Sequence, residues 1–292
     1  MQNKLKGFMI SSSQEVYFAA VGDVHGHMNK MVQMLTNWEY ATNKKLDFVL
    51  QVGDFEPHRD EIDLSTMAAP SKYRKLGDFP DFYQNKKTFP WPLYFIGGNH
   101  EPYGFLDLFP KGEQVAANCY YLGRVGKVEI NDLTIVGFSG IYREDKFEWL
   151  RPSVKDIAKK SNKEYIYFTK QEVDKVLEFS SPNIMLFHEW PANIIDKENY
   201  NEFEALRHAL GYDDVGNEYA RLITEMLEPD LVICGHMHKK YRKQIKLESN
   251  KHVDICCLAN VEQGLNSIAI FKLLENSLTE LIDIYNETNK SQ

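Results

Sequence analysis

At 292 residues the chain can bury a substantial core as one large domain or two small ones. A hydrophobic content of 43% with 13% aromatics excludes a disordered chain. The balance of 34 basic against 42 acidic residues, net −8, excludes a generally basic, histone-like binder of nucleic acid but leaves room for a local basic patch.

In chain order, the apolar run Val16 to Val21 reads as a strand, and Met28, Met31, Leu35 and Trp38 follow at helical spacing. Phe48 to Val52 and Leu93 to Ile96 read as further strands, separated by an irregular stretch, Asp54 to Phe89, rich in Asp, Lys, Pro and aromatics. So long a stretch without periodicity is expected to be functional or mobile. Short strands are then expected at Tyr120–Leu122, Leu133–Phe138, Ile184–Phe187 and Leu231–Cys234, and helices at Lys170–Phe179 and Glu218–Leu227. Beyond Lys240 two or three more strands are expected, Ser267–Leu273 among them. Strands alternating with helices in the first half point to α/β layers rather than a bundle. Cys119, Cys234, Cys256 and Cys257 have no CxxC spacing and read as buried free thiols. No apolar run approaches the roughly 18 residues of a membrane span. The opening MQNKLKGFMISSSQEV lacks a signal-peptide core, so no membrane contact and a cytoplasmic location are expected.

Five of the strands stop in the same way. The first runs into Gly22-Asp23-Val24-His25-Gly26, the second into Gly53-Asp54, and the third into Gly97-Gly98-Asn99-His100-Glu101. Ile184–Phe187 runs into His188, and Leu231–Cys234 into Gly235-His236-Met237-His238. Taken singly, each reads as a turn or a core residue; the ordered set of five does not. Functional groups in open α/β sheets gather beyond the carboxyl ends of strands, so these side chains are expected to converge. Imidazoles and carboxylates together suit Zn, Mn or Fe rather than oxygen-loving Ca or Mg. Seven such groups exceed one tetrahedral ion and suit two ions about 3.5–4 Å apart.

The set resembles the calcineurin-like metallophosphoesterase superfamily, whose pattern is GDxH, GD, GNH, H and GHxH in that order. The resemblance covers about Val16 to His238 and implies a two-sheet αββα sandwich of the metallophosphoesterase type. It further implies that Asp23, His25 and His238 hold a first metal, that Asn99, His188 and His236 hold a second, and that Asp54 bridges them. His100 would be catalytic, facing the phosphate as acid or charge stabiliser while a metal-held hydroxide attacks phosphorus in line. A protein phosphatase of this superfamily would follow the second motif with a VDRG-like stretch; Phe55-Glu56-Pro57-His58-Arg59 departs from it.

Within the superfamily the chain looks like the RNA lariat debranching enzymes. The resemblance rests on Gly53-Asp54-Phe55-Glu56, Met67-Ala68-Ala69-Pro70-Ser71-Lys72-Tyr73-Arg74, Tyr120-Tyr121-Leu122-Gly123, Gly137-Phe138-Ser139-Gly140-Ile141-Tyr142 and His188-Glu189-Trp190-Pro191. Those enzymes typically carry Cys where this chain has Asp23, and a carboxylate there should favour filling the first site. The resemblance makes residues 1–292 a single domain, with about 143–175 an inserted recognition segment and about 240–292 supplying C-terminal strands that complete the sheet.

The implied enzyme is a hydrolase of phosphoric esters: a dinuclear phosphodiesterase with two divalent ions (Mn, Fe or Zn). It would act on RNA or another nucleic-acid or nucleotide substrate, with a 2′,5′ branch linkage as the candidate bond. The rivals are a phosphomonoesterase or nucleotide hydrolase on the same centre, and a non-catalytic scaffold that keeps the fold. Local charge offers a check: residues 143–170 hold eight Lys or Arg against five Asp or Glu, and 239–251 hold six against one. Tyr165, Tyr167 and Phe168 lie among the first of these and could stack bases. Arg59, Lys72 and Arg74 are candidate phosphate contacts. His27 and His58 sit beside ligands without matching a ligand position, Trp190 reads as core, and His208 and His252 read as ordinary. No protein partner follows from the sequence.

Overall fold

The computed structural model describes residues 15–204, 215–275 and 277–281; the N-terminal stretch before Glu15 and His208 lie outside the described residues. Two sheets form the centre. In the first, strands run in the order β13-β12-β1-β2-β3-β5-β4: Ser277–Glu280, Ile268–Leu274, Val16–Val21, Phe48–Gln51, Leu93–Phe95, Cys119–Tyr121 and Glu113–Ala116. In the second the order is β10-β11-β9-β8-β7-β6: Tyr241–Lys246, His252–Cys257, Leu231–Cys234, Ile184–Phe187, Leu133–Phe138 and Val125–Ile130. Strands β1, β2, β3 and β5 are mutually parallel, as are β7, β8, β9 and β11, and antiparallel strands flank both sets.

The strand period of two explains the layering. In β1, Phe18 and Ala20 turn inward to a layer shared with Phe48, Leu50, Ile135, Leu186, Ile233 and Phe271, contributed by both sheets. The Phe18 ring lies between Phe48 at 4.8 Å and Phe271 at 5.0 Å, each near-parallel to it. Tyr17, Ala19 and Val21 turn outward, to helix α1 (Met28–Thr42), which buries Met28, Met31, Leu35 and Trp38 at the expected spacing. Burying each such side chain stabilises the fold by about 1.5–3 kcal/mol before entropy is counted. On the far side, Phe138, Met185, Phe187 and Val232 pack against α2 (Lys170–Val176) and α3 (Glu218–Leu227). The layers are therefore α/β/β/α.

Local chemistry sets the helix starts. Thr169 and Glu172 form a capping box on α2, with Thr169 N–H donating to Glu172 at 2.7 Å. The Asn217 side chain accepts the Ala220 N–H at 2.8 Å to cap α3.

Several boundaries differ from expectation. Strand β2 ends at Gln51, β3 at Phe95 and α2 at Val176, and β5 begins one residue earlier, at Cys119. Among the described residues the tail holds four strands rather than two or three, and they divide: β10 and β11 extend the second sheet, β12 and β13 the first. Strands β4 and β6 lie at sheet edges, where half-exposed residues carry no continuous apolar run. The irregular stretch after Asp54 contains short helices at Glu61–Ser65 and Phe79–Tyr83 and a 3₁₀ turn at Ser71–Tyr73. All four cysteines are buried and free, as expected.

Candidate metal centre

Strands β1, β2 and β3 are parallel in one sheet, and β8 and β9 in the other, so their carboxyl ends can meet at one end of the sandwich. The seven ligand candidates gather there. Asp23, His25 and His238 form one group with metal-ligating atoms close together, and Asp54, His188 and His236 form another. Asn99 joins the second, its Oδ1 lying 3.0 Å from His188 Nε2.

Within the first group, His238 Nε2 lies 2.9 Å from Asp23 Oδ2 and 3.0 Å from His25 Nε2. Two imidazole nitrogens and a carboxylate oxygen thus point at a common space. In the second group Asp54 Oδ2 is 3.5 Å from His188 Nε2, and the His188 and His236 rings are 4.8 Å apart. Asp54 Oδ1 accepts the His100 N–H at 2.8 Å, which ties the third motif to the second. The His100 ring is partly exposed, edge-on to His25 at 5.3 Å.

The backbone is bent hard to make these groups converge. His25, Asp54, Glu56, His236 and His238 all have left-handed φ, between 47° and 68°. Each such non-glycine residue costs of order 1–3 kcal/mol, and such strain concentrates at functional sites. Glycine is required where a Cβ would collide: at Gly98 it would meet Asp54 and His188, and at Gly235 it would meet Asp23. Gln51, buried between strands, braces the turn by donating to the Gly22 and Gly53 carbonyls and accepting the Gly53 N–H.

The electrostatics follow from two fully buried carboxylates, Asp23 and Asp54. Burial alone would raise both, but the surrounding imidazoles hold Asp23 below and Asp54 well below the ordinary carboxylate range. Burial also works against a charged His25, yet its bond to Glu56 and the nearby Asp54 and Asp23 push it up to about 9. His188 is pushed up to about 10 against burial, chiefly by Asp54. His236 is pushed down to about 3, by burial and then by the charge of His188. A divalent cation in each group would supply the positive charge that the carboxylates attract and would need these imidazoles neutral. The donor set of imidazole, carboxylate and amide oxygen fits Mn, Fe or Zn.

The candidate substrate contacts Arg59, Arg74, Tyr165 and Tyr167 are held by partners of their own or packed in the core. Arg59 is clamped by both nitrogens to Asp63, at 2.7 and 2.9 Å, with its guanidinium 3.8 Å from the Phe105 ring centre. Arg74 donates to the Ala69 carbonyl at 2.8 Å, and Lys72 is exposed, 4.6 Å from the Tyr73 ring. Tyr165 and Tyr167 are packed into the α1-side core, and Tyr165 donates to the Ser153 carbonyl at 3.1 Å. Neither ring offers a free face to a base. Trp190 is core, donating to the Gly235 carbonyl and lying parallel to Tyr241. His27 stands half exposed near Glu262, and His252 is exposed.

Two buried carboxylates escaped the sequence reading. Glu101 accepts N–H groups from Phe55, Glu56 and Gly98, joining the second and third motifs. Burial and the Asp54 charge push it up to about 8. Glu56 accepts from His25 Nδ1 at 2.9 Å. Both lie within two residues of a ligand candidate, and that adjacency was the available signal.

Residues 16–240 match the calcineurin-like phosphoesterase family. The lariat debranching enzyme of Entamoeba histolytica is 34% identical over 80% of this chain and 67% of its own length. The human lariat debranching enzyme is 33% identical over 76% of this chain and 42% of its own, and that of Arabidopsis thaliana 30% identical over 78% and 56%. The chain thus spans between 42% and 67% of the length of such relatives. One solved crystal structure aligns with a TM-score of 0.52 at 12% identity, over 92% of this chain and 99% of the other, which bears on the fold alone. With the ordered motifs, their convergence and these matches together, the chain belongs to the calcineurin-like phosphoesterase family.

Proposed function

We propose that the chain is a dinuclear metal-dependent phosphodiesterase acting on a nucleic-acid phosphodiester, with the 2′,5′ branch linkage as its candidate bond. The observation that carries this reading is the pair of ligand groups at one end of the sandwich, Asp23–His25–His238 and Asp54–His188–His236, with His100 beside them. The debranching enzymes named among the relatives support the choice of a nucleic acid. When bound, the ions supply Lewis acidity to an attacking water and to the phosphoryl oxygens.

The chain's own residues do the rest. Asp54 orients the third motif through the His100 N–H, so the His100 ring is held at the mouth of the centre. From there the imidazole can give a proton to the departing alkoxide oxygen, which general acid catalysis rewards by about 10²–10⁴-fold. His188 donates from Nδ1 to the Val52 carbonyl at 2.9 Å, which leaves Nε2 to face the second ligand group. No helix among the described residues is long and apolar enough to cross a membrane.

The test is manganese-supported cleavage of a synthetic branched RNA beside a linear 3′,5′ control and a phosphomonoester. Selective cutting at the 2′,5′ branch is expected. Turnover of the monoester with inert RNA would replace this reading by a phosphomonoesterase. Ligand binding without any hydrolysis would replace it by a scaffold.

A further inference from the structure

The Glu56 carboxylate is buried among three imidazoles. Its Oε1 lies 2.9 Å from His25 Nδ1 and 3.8 Å from His100 Nδ1, and its Oε2 lies 3.8 Å from His58 Nε2. Only the first is a hydrogen bond. The other nitrogen of His25, Nε2, looks the opposite way, to His238 Nε2 at 3.0 Å and Asp23 Oδ2 at 3.8 Å. A neutral imidazole has one N–H, so an acceptor held against Nδ1 places the proton there and leaves the Nε2 lone pair free.

Glu56 is held for this task. Its backbone is left-handed at φ 58°, its N–H donates to Glu101 at 2.9 Å, and its carbonyl accepts the His58 N–H at 2.8 Å. The two ligand groups differ in how their imidazoles are set. His188 is oriented by a backbone carbonyl, that of Val52, whereas His25 is oriented by a side chain. His238 Nδ1 meets the Asn260 amide only at 3.3 Å.

We propose that Glu56 is a positioning residue of the first ligand group: by accepting the Nδ1 proton of His25 it keeps Nε2 as the metal-facing nitrogen. This rests on the two-metal reading above and adds to it an asymmetry: His25 in the first group is backed by a side-chain acceptor outside the candidate ligands, whereas His188 in the second is backed by a backbone carbonyl. Acceptors of this kind behind metal-binding histidines typically carry about 10–100-fold in metal affinity.

The experiment is a cobalt(II) titration of the metal-free 292-residue chain, read by visible absorption, with thermal melts of each metal-free variant. Wild type should bind in two phases. Glu56→Ala should weaken one phase by about 10–100-fold and leave the other unchanged. Glu56→Gln, whose amide oxygen still accepts the Nδ1 proton, should restore most of the loss. If the alanine variant fails to fold, Glu56→Asp, one methylene too short to reach Nδ1, takes its place with the same expected loss. Two wild-type phases with neither one altered by Glu56→Ala would overturn the role of Glu56 while leaving the metal centre standing. So would Glu56→Gln binding as weakly as Glu56→Ala. A wild-type chain that takes up no cobalt would overturn the metal reading, and this one with it.

Discussion

His100 differs from its neighbours because its backbone, not its ring, is what anchors Asp54. Replacing the ring by His100→Ala keeps that N–H, so metal content should stay at the wild-type level while kcat falls by about 10²–10⁴-fold. Elemental analysis beside turnover of a bis-p-nitrophenyl ester checks both; loss of metal with the ring would make His100 a ligand. The raised His25 and His188 set a pH dependence. Their folded values, about 9 and about 10, exceed the ordinary 6.5 of an imidazole, so proton binding stabilises the metal-free fold. That stabilisation is full below pH 6.5 and is lost as pH rises through about 9 to about 10. Melting of the chelated chain across this range should show the decline. Manganese affinity should rise over the same range, since the ion competes with those protons.

At the scale of elements, the amphipathic helices and the buried parallel strands were legible because each carries its periodicity within a few residues. Trp38 illustrates it: its place on the buried face of α1 follows from the spacing Met31, Leu35, Trp38 alone. Trp38→Ala should cost about 3–5 kcal/mol by denaturant titration, with the metal ligands untouched. The turns after the strands are more exacting. Gly98→Ala would press a Cβ against Asp54 and His188, so metal affinity should fall even where the fold survives; cobalt titration reads the difference. Edge strands β4 and β6 were not legible, since an edge residue need not be apolar on either face. The basic stretch after Arg143 was legible as charge but misleading as to its aromatics. Tyr165 and Tyr167 fill the core, and Arg151 of the same stretch clamps Glu172 at 2.6 Å.

For the whole molecule, candidate ligands drawn from two sheets would make folding and metal binding one equilibrium. An ion at 100 times its Kd adds about 2.7 kcal/mol to a fold that binds it only when native. Manganese should therefore raise the melting temperature and a chelator reverse it, whereas an unchanged melt would mean that the groups hold no ion. Read alone, the sequence was enough for the candidate ligands, their order, the strands that carry them and the family, because these are properties of short stretches. Which candidate ligands pair, and what stands behind them, was visible only in the folded chain. His25 and His238 meet across 213 positions of chain, and Glu56 reaches His25 from 31 positions away. The fold also decided that the tail divides between both sheets and that two tyrosines near the basic stretch are core. The reason is physical: side-chain type and periodicity are local, whereas sheet order, burial and hydrogen-bond partners arise only when distant segments exclude water together.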